Sequence, residues 1–225
     1  MPLSSEAADW EGILMELLHG NGLCGEVASV KIIASRGVCP GLGLPAPREA
    51  VLFAMAQGYR PPAAEAYRRG CRLHPFREGF SPPLARLKSL NYLYFLAARQ
   101  AAADEGADEA IISDPHGMIT ETSAGSILAR TEGQWWTPSS PYQLPGITLQ
   151  SVSRLLGESG ERVDRRPATL EDLLGAQTVW AMNSLMLIMP VCQIATHQVP
   201  APQPEEARRL NTLLTACASK NPVAS

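Results

Sequence analysis

Only three lysines, at positions 31, 88 and 220, occur in this 225-residue chain, against sixteen arginines. Lys88 stands in Arg86-Leu87-Lys88-Ser89-Leu90-Asn91, an isolated Glu121 follows, and then the turn Leu144-Pro145-Gly146-Ile147-Thr148. A primary amine, a carboxylate and a phosphate-binding turn are the groups needed to hold an aldehyde cofactor as a Schiff base, protonate its ring nitrogen and anchor its phosphate. The turn runs into a predicted helix, where free backbone N–H groups and the helix dipole make an anion site. Gly146, Ile147 and Thr148 are the candidate cradle. Alone, Pro-Gly before a threonine is an ordinary loop-to-helix junction; its position after Lys88 and Glu121 gives it chemical meaning.

Other chemistries find less support. The net charge of -3 and the scattered arginines offer no basic field for nucleic acid. Cys24, Cys39, Cys71, Cys192 and Cys217 are odd in number and never form Cys-x-x-Cys, so buried free thiols are expected rather than disulfides or zinc. The four histidines stand apart, without a helical i, i+4 pair, and no metal site is expected. The most apolar run, 184–195, is too short for a membrane span and contains Pro190 and Gln193. With no basic region ahead of an apolar stretch at the N-terminus, a cytoplasmic protein is expected.

The elements that must position these groups can be read from periodicity and turn chemistry. Trp10, Ile13, Leu14, Leu17 and Leu18 form a helical stripe stopped at Gly20-Asn21-Gly22. Residues 27–34 read as a strand around Lys31, and 37–47 as an irregular Gly/Pro-rich loop that lacks a nucleotide-binding ending. Residues 49–56 could be a strand and 63–75 another extended segment. The linker at 78–83, with Gly79, Pro82 and Pro83, marks the expected boundary between a smaller lobe, 1–83, and a larger one, 84–225. A helix follows over 91–105, with Asn91 as N-cap and a stripe of Leu93, Leu96, Ala97, Gln100 and Ala101. Strands are predicted at 109–113, over 118–129 after the turn Asp114-Pro115-His116-Gly117, and at 134–137. Then come a helix at 148–156, a strand at 161–165 and a helix at 169–174 opened by Thr169 and Asp172. Strands at 179–182 and 186–196 precede a terminal helix over 204–218 using Ala207, Leu210, Leu213 and Leu214.

From Arg86 to about Cys192 the chain resembles the class IV aminotransferase family, fold type IV pyridoxal phosphate enzymes that include D-amino-acid and branched-chain aminotransferases and aminodeoxychorismate lyase. The resemblance rests on five motifs in order: 86–91, Ile119-Thr120-Glu121-Thr122-Ser123, Thr137-Pro138, 144–148, and Asn183-Ser184-Leu185-Met186 before Met189-Pro190-Val191. It implies that Lys88 is the Schiff-base lysine and proton shuttle, and that Glu121, 33 residues later, faces the pyridine nitrogen of pyridoxal 5'-phosphate. It also implies that Gly146, Ile147 and Thr148, with Asn183 and Ser184, hold the phosphate. The expected fold is a two-lobed α+β, D-amino-acid aminotransferase-like architecture with a shortened N-terminal lobe.

The Asn-Ser-Leu-Met and Met-Pro-Val runs and the segment Ile33-Ala34-Ser35-Arg36-Gly37 look most like aminodeoxychorismate lyase. That resemblance implies release of pyruvate from 4-amino-4-deoxychorismate to give 4-aminobenzoate, a folate-pathway step. The alternatives are a class IV aminotransferase and a noncatalytic relative. An amino-acid-like substrate and a homodimer are implied, with no nucleic acid or membrane partner. The chain departs from the family in lacking its opening strands and their phosphate-binding arginine. It also has Gly41 and Gly43 in place of an arginine and a histidine or tyrosine, and Leu149 in place of an arginine.

Overall fold

The computed structural model describes residues 9–37, 41, 51–78 and 85–220, the side chains of 217–220 aside. The chain divides into two compact units, Met1–Pro61 and Pro62–Ser225. The linker over 79–83, most of the loop over 37–47, and Gly43 within it lie outside the described residues.

In the first unit, α1 (Trp10–Gly20) starts at Asp9, whose carboxylate accepts from the Gly12 N–H at 2.9 Å. It ends at Asn21, before the left-handed Gly22. The strands β1 (Ala28–Ser35) and β2 (Val51–Gly58) pair antiparallel, with Ala28 opposite Gly58 and Ser35 opposite Val51. Cys24 is exposed here, contrary to the expectation of buried thiols, whereas Cys71 in the second unit is buried; all three described cysteines are free.

The second unit opens with a correction. Residues 63–75 are not one extended segment but a short helix, α2 (Ala64–Arg69), then β3 (Cys71–Pro75). Gly70, at φ +79°, makes the turn between them under Cys192 and the Pro190 carbonyl, where a left-handed backbone suits glycine. β3 is hydrogen-bonded between β4 (Glu109–Ser113) and β10 (Leu187–Ile194), within the main sheet.

That sheet also contains β5 (Ile119–Thr122), β6 (Ser126–Thr131), β7 (Gln134–Pro138), β8 (Val163–Arg166) and β9 (Thr178–Asn183). Its order is β5-β4-β3-β10-β9-β6-β7-β8, with β11 (His197–Gln198) paired to β10. Three of its pairings are parallel, β3 with β4, β3 with β10, and β7 with β8, so the sheet is mixed. β5 and β6 are separated by four strands in this order, yet Ser123-Ala124-Gly125 alone joins them in the chain. Only a curled sheet brings its edge back so far. The predicted strand over 118–129 is therefore interrupted where the chain crosses from one part of the curl to another.

Both faces of the inner strands are covered, which is why β4, β6, β9 and β10 are rich in consecutive apolar residues. Leu73, Ile111, Ile119, Ile127, Val179 and Val191 pack on one face with α5 (Leu170–Leu174). The predicted capping box is present: Thr169 Oγ1 accepts from Asp172 N, and the Asp172 carboxylate accepts from Thr169 N. On the other face Leu128, Trp135, Trp180 and Ile188 meet α4 (Ile147–Glu158) and α6 (Pro204–Lys220) through Val152, Leu156, Ala207 and Leu210. Leu213, placed in the buried stripe by periodicity, is instead 40% exposed.

The helix α3 (Leu93–Asp104) starts at Tyr92 without a side-chain cap, so Asn91 is not its N-cap. It also buries a different face from the predicted one. Ala98 and Ala102 pack on Ala110 and Ile112 of β4, while Leu93 and Leu96 are exposed. Small side chains let this helix lie close to the sheet, so residue size misreports which face is covered.

Candidate active site

Lys88 lies in a run of tight turns leading to α3, with Ser89 N bonded to the Leu87 carbonyl at 2.7 Å and Tyr92 N to that of Leu90 at 2.9 Å. The side chain is exposed. Glu121, on β5 opposite Ile112, is 6% exposed. Burial pushes its carboxyl up to about 8, while a hydrogen bond from the Leu144 backbone and the positive charge of Lys88 pull in the opposite direction. The chain thus brings the amine, the carboxylate and the turn before α4 into one electrostatic neighbourhood.

The start of α4 is shaped by close approach. Gly146 is its N-cap, in extended conformation at φ -62° and ψ 123°, and no described side chain caps the first turn. The first-turn N–H groups therefore keep their capacity for an anion. A Cβ on Gly146 would overlap the hydroxyl of Ser126, the first residue of β6. Thr148 is buried and Ile147 is 70% exposed.

The tip between β9 and β10 carries Asn183 and Ser184. Ser184 is exposed, whereas the Asn183 side chain is engaged on both sides. Its Oδ1 accepts from Leu185 N at 3.0 Å and Met186 N at 2.9 Å, and its Nδ2 donates to the Ala124 carbonyl at 3.1 Å. Asn183 therefore folds the turn and ties it to the chain just beyond Glu121. Gly125 lets that crossing occur, because a Cβ there would overlap the Met182 carbonyl.

Glu121 on β5, the turn at 144–148 and the Asn183-Ser184 tip are thus linked by contacts through Leu144, Ser126 and Ala124, and the charge of Lys88 acts on Glu121. Among the described residues no cluster of His, Cys, Asp or Glu could hold a metal, and no helix is long and apolar enough to cross a membrane. Several site-shaping contacts were not legible in the sequence: Leu144, there only part of the turn, acts on Glu121 through its backbone, and Gly125 and Ser126 act through proximity. Gln143, 5% exposed, accepts from Arg165 at 3.4 Å, while its Nε2 finds no hydrogen-bond partner among the described residues. Only the run of small residues at 123–126 could have signalled a close crossing.

The donor set fits pyridoxal phosphate. A desolvated carboxylate with a raised pKa calls for a positive N–H partner, an exposed amine stands near it, and uncapped helix N–H groups suit a phosphate.

A family model described as amino-transferase class IV matches residues 1–194. The Methanocaldococcus jannaschii protein named "Putative branched-chain-amino-acid aminotransferase" is 31% identical over 199 residues, covering 86% of this chain and 67% of that one. Aminodeoxychorismate lyase of Vibrio harveyi is 29% identical over 209 residues, covering 90% and 76%. Two branched-chain aminotransferase-like proteins of Arabidopsis thaliana match over only 19% of their own length. Among solved structures, the Legionella pneumophila "Putative 4-amino-4-deoxychorismate lyase" superposes with TM-score 0.81 at 23% identity, over 92% of this chain and 76% of that one. The Escherichia coli branched-chain amino acid aminotransferase gives 0.77 at 20%, over 93% and 71%. A further branched-chain amino acid aminotransferase, solved with pyridoxamine 5'-phosphate, gives 0.77 at 25%, over 92% and 69%. These likenesses carry the fold, a fold type IV α+β architecture in a chain shorter than its relatives.

Proposed function

Since the chain belongs to the class IV aminotransferase family, pyridoxal phosphate enzymes that act as aminotransferases or lyases, we propose that it is a lyase that releases pyruvate from 4-amino-4-deoxychorismate to leave 4-aminobenzoate. The observation that carries the cofactor reading is the convergence on Glu121: its buried carboxylate feels the charge of Lys88 and the N–H of Leu144 together. Support for the lyase reading comes from the Asn183-Ser184-Leu185-Met186 and Met189-Pro190-Val191 runs and from the lyase relative that aligns along 90% of the chain.

In this reading Lys88 would hold the carbonyl end of the cofactor, Glu121 would keep its ring nitrogen protonated, and Gly146 to Thr148 with Ser184 would hold its phosphate. Asn183 shapes the turn that carries Ser184. Bound there, the cofactor supplies an electron-withdrawing ring that acidifies the carbon bearing the substrate amine. Once the substrate amine has taken its place, the freed Lys88 amine would remove the proton from that carbon. The bond between the neighbouring ring carbon and the ether oxygen of the three-carbon group would break, and Lys88 would return the proton to that group as it leaves as pyruvate. The nearest alternative is amino-group transfer, supported by the Methanocaldococcus relative at 31% identity. A cytoplasmic homodimer belongs to the same proposal.

Two assays decide. Incubation with 4-amino-4-deoxychorismate should release 4-aminobenzoate; glutamate formed from an amino donor and 2-oxoglutarate, without 4-aminobenzoate, would overturn the lyase reading. Added cofactor should give a visible absorption band that Lys88→Ala abolishes. A protein that stays colourless would overturn the cofactor reading itself.

A further inference from the structure

The tip joining β9 to β10 is held from outside by two side chains far from it in sequence. Tyr67, on α2, donates its hydroxyl to the Met186 carbonyl at 2.8 Å. Asn211, on α6, accepts from the Ile188 N–H at 2.9 Å and donates to the Ile188 carbonyl at 2.9 Å. Between these anchors Leu187 adopts φ +56°, a left-handed conformation that a non-glycine residue keeps only where its surroundings fix it.

The geometry explains why anchors are needed. β10 pairs with β3 from Val191 onward, so among the described residues the edge of β10 opposite β9 has no strand partner at Ile188. The Asn211 amide, offering one donor and one acceptor, stands in for a residue of the missing strand. Tyr67 then fixes the carbonyl two residues nearer the tip, and Asn183 closes the turn from inside. Supports from α2, from α6 and from the turn itself thus converge on a four-residue tip that leaves Ser184 exposed.

We propose that Tyr67 and Asn211 are positioning residues for the cofactor phosphate, holding the Asn183–Met186 tip in the conformation that presents Ser184 to it. The proposal rests on the cofactor reading above. A group bound through prearranged donors pays no ordering cost on binding, so loosening the tip should weaken recognition of the phosphate and spare the carbonyl end at Lys88.

Comparing pyridoxal 5'-phosphate with pyridoxal, which lacks the phosphate, separates positioning from general structural support. Each is titrated into wild type, Tyr67→Phe and Asn211→Leu, following the visible band, with melting temperatures measured alongside. Tyr67→Phe, which loses one hydrogen bond, should weaken pyridoxal 5'-phosphate roughly three- to tenfold; Asn211→Leu, which loses both bonds to Ile188, should weaken it at least as much, and each should leave pyridoxal within about twofold. Asn211→Asp, which keeps the acceptor for Ile188 N–H and loses the donor, should fall between Asn211→Leu and wild type. Equal weakening of both ligands, or of neither, overturns the inference while wild-type binding leaves the cofactor reading standing. If wild type shows no Lys88-dependent band, the cofactor reading fails and this inference with it. Tyr67→Phe keeps the packed ring and decides the matter if Asn211→Leu does not fold.

Discussion

The carboxylate of Glu121, buried on β5, accepts a hydrogen bond from the backbone N–H of Leu144, two residues before the glycine that caps α4. This one contact couples the group assigned to the ring nitrogen to the turn assigned to the phosphate. Any movement of the turn therefore changes the environment of the carboxylate. Since the donor is a backbone amide, side-chain identity at 144 could not have announced it.

The raised pKa of Glu121 makes stability pH-dependent in a definite direction. Burial lifts the carboxyl from its ordinary 4.5 to about 8 in the folded chain, so between those values the folded state binds a proton that the unfolded state has lost. Glu121 therefore supports the cofactor-free fold fully below pH 4.5 and ceases to do so as pH rises through about 8. Glu121→Gln should flatten this dependence. With about 1.4 kcal/mol per pKa unit, the difference between the two proteins should change by a few kcal/mol from about pH 5 to about pH 9. Urea melts at both pH values measure it, and parallel pH profiles would contradict the assignment.

Much of this site was legible because its chemistry lies in side chains at fixed order along the chain. Lys88, Glu121 and the turn at 144–148 announce themselves by type, and in the fold the Glu121 carboxylate feels both the charge of Lys88 and the N–H of Leu144. The capping box at Thr169 and Asp172 was legible for the same reason, since both halves lie within one turn. What was not legible depends on contacts distant in sequence. Periodicity puts Leu93 and Leu96 inward on α3, but the sheet accepts the alanine face at Ala98 and Ala102. Residues 64–69 read as extended because Pro61, Pro62 and Gly70 bracket a helix too short for a repeating pattern. The interruption at 123–125 follows from the curl of the sheet, which no local preference encodes.

Two glycines should respond differently to an added methyl group. Both Gly125→Ala and Gly146→Ala meet an atom of a neighbouring strand, but Gly125 faces the Met182 backbone carbonyl and Gly146 the Ser126 hydroxyl. A hydroxyl can rotate away, whereas a carbonyl in a sheet cannot without disturbing β9. Gly125→Ala should therefore destabilise the chain by about 1–3 kcal/mol or more, and Gly146→Ala by less. Pairing Gly146→Ala with Ser126→Ala should recover most of the smaller loss. Calorimetric melts of the three variants test the order, and equal losses for the two single variants would show that the crossing at 125 yields more than its packing suggests.

Asn183 separates folding of the tip from recognition of the phosphate. Asn183→Asp keeps acceptors for Leu185 N–H and Met186 N–H but loses the donor to the Ala124 carbonyl, whereas Asn183→Ala loses all three bonds. At about 0.5–1.5 kcal/mol per bond, stability of the cofactor-free protein should run wild type, Asp, Ala in decreasing order. Affinity for the phosphate-bearing cofactor should run wild type, Ala, Asp, because a carboxylate beside Ser184 repels a dianion more than a shortened side chain disorders the turn. The two orders cross, and only a phosphate at this tip makes them cross. Should affinity follow stability instead, the charge at 183 would be far from the bound phosphate, and Ser184 would have to be removed from the site.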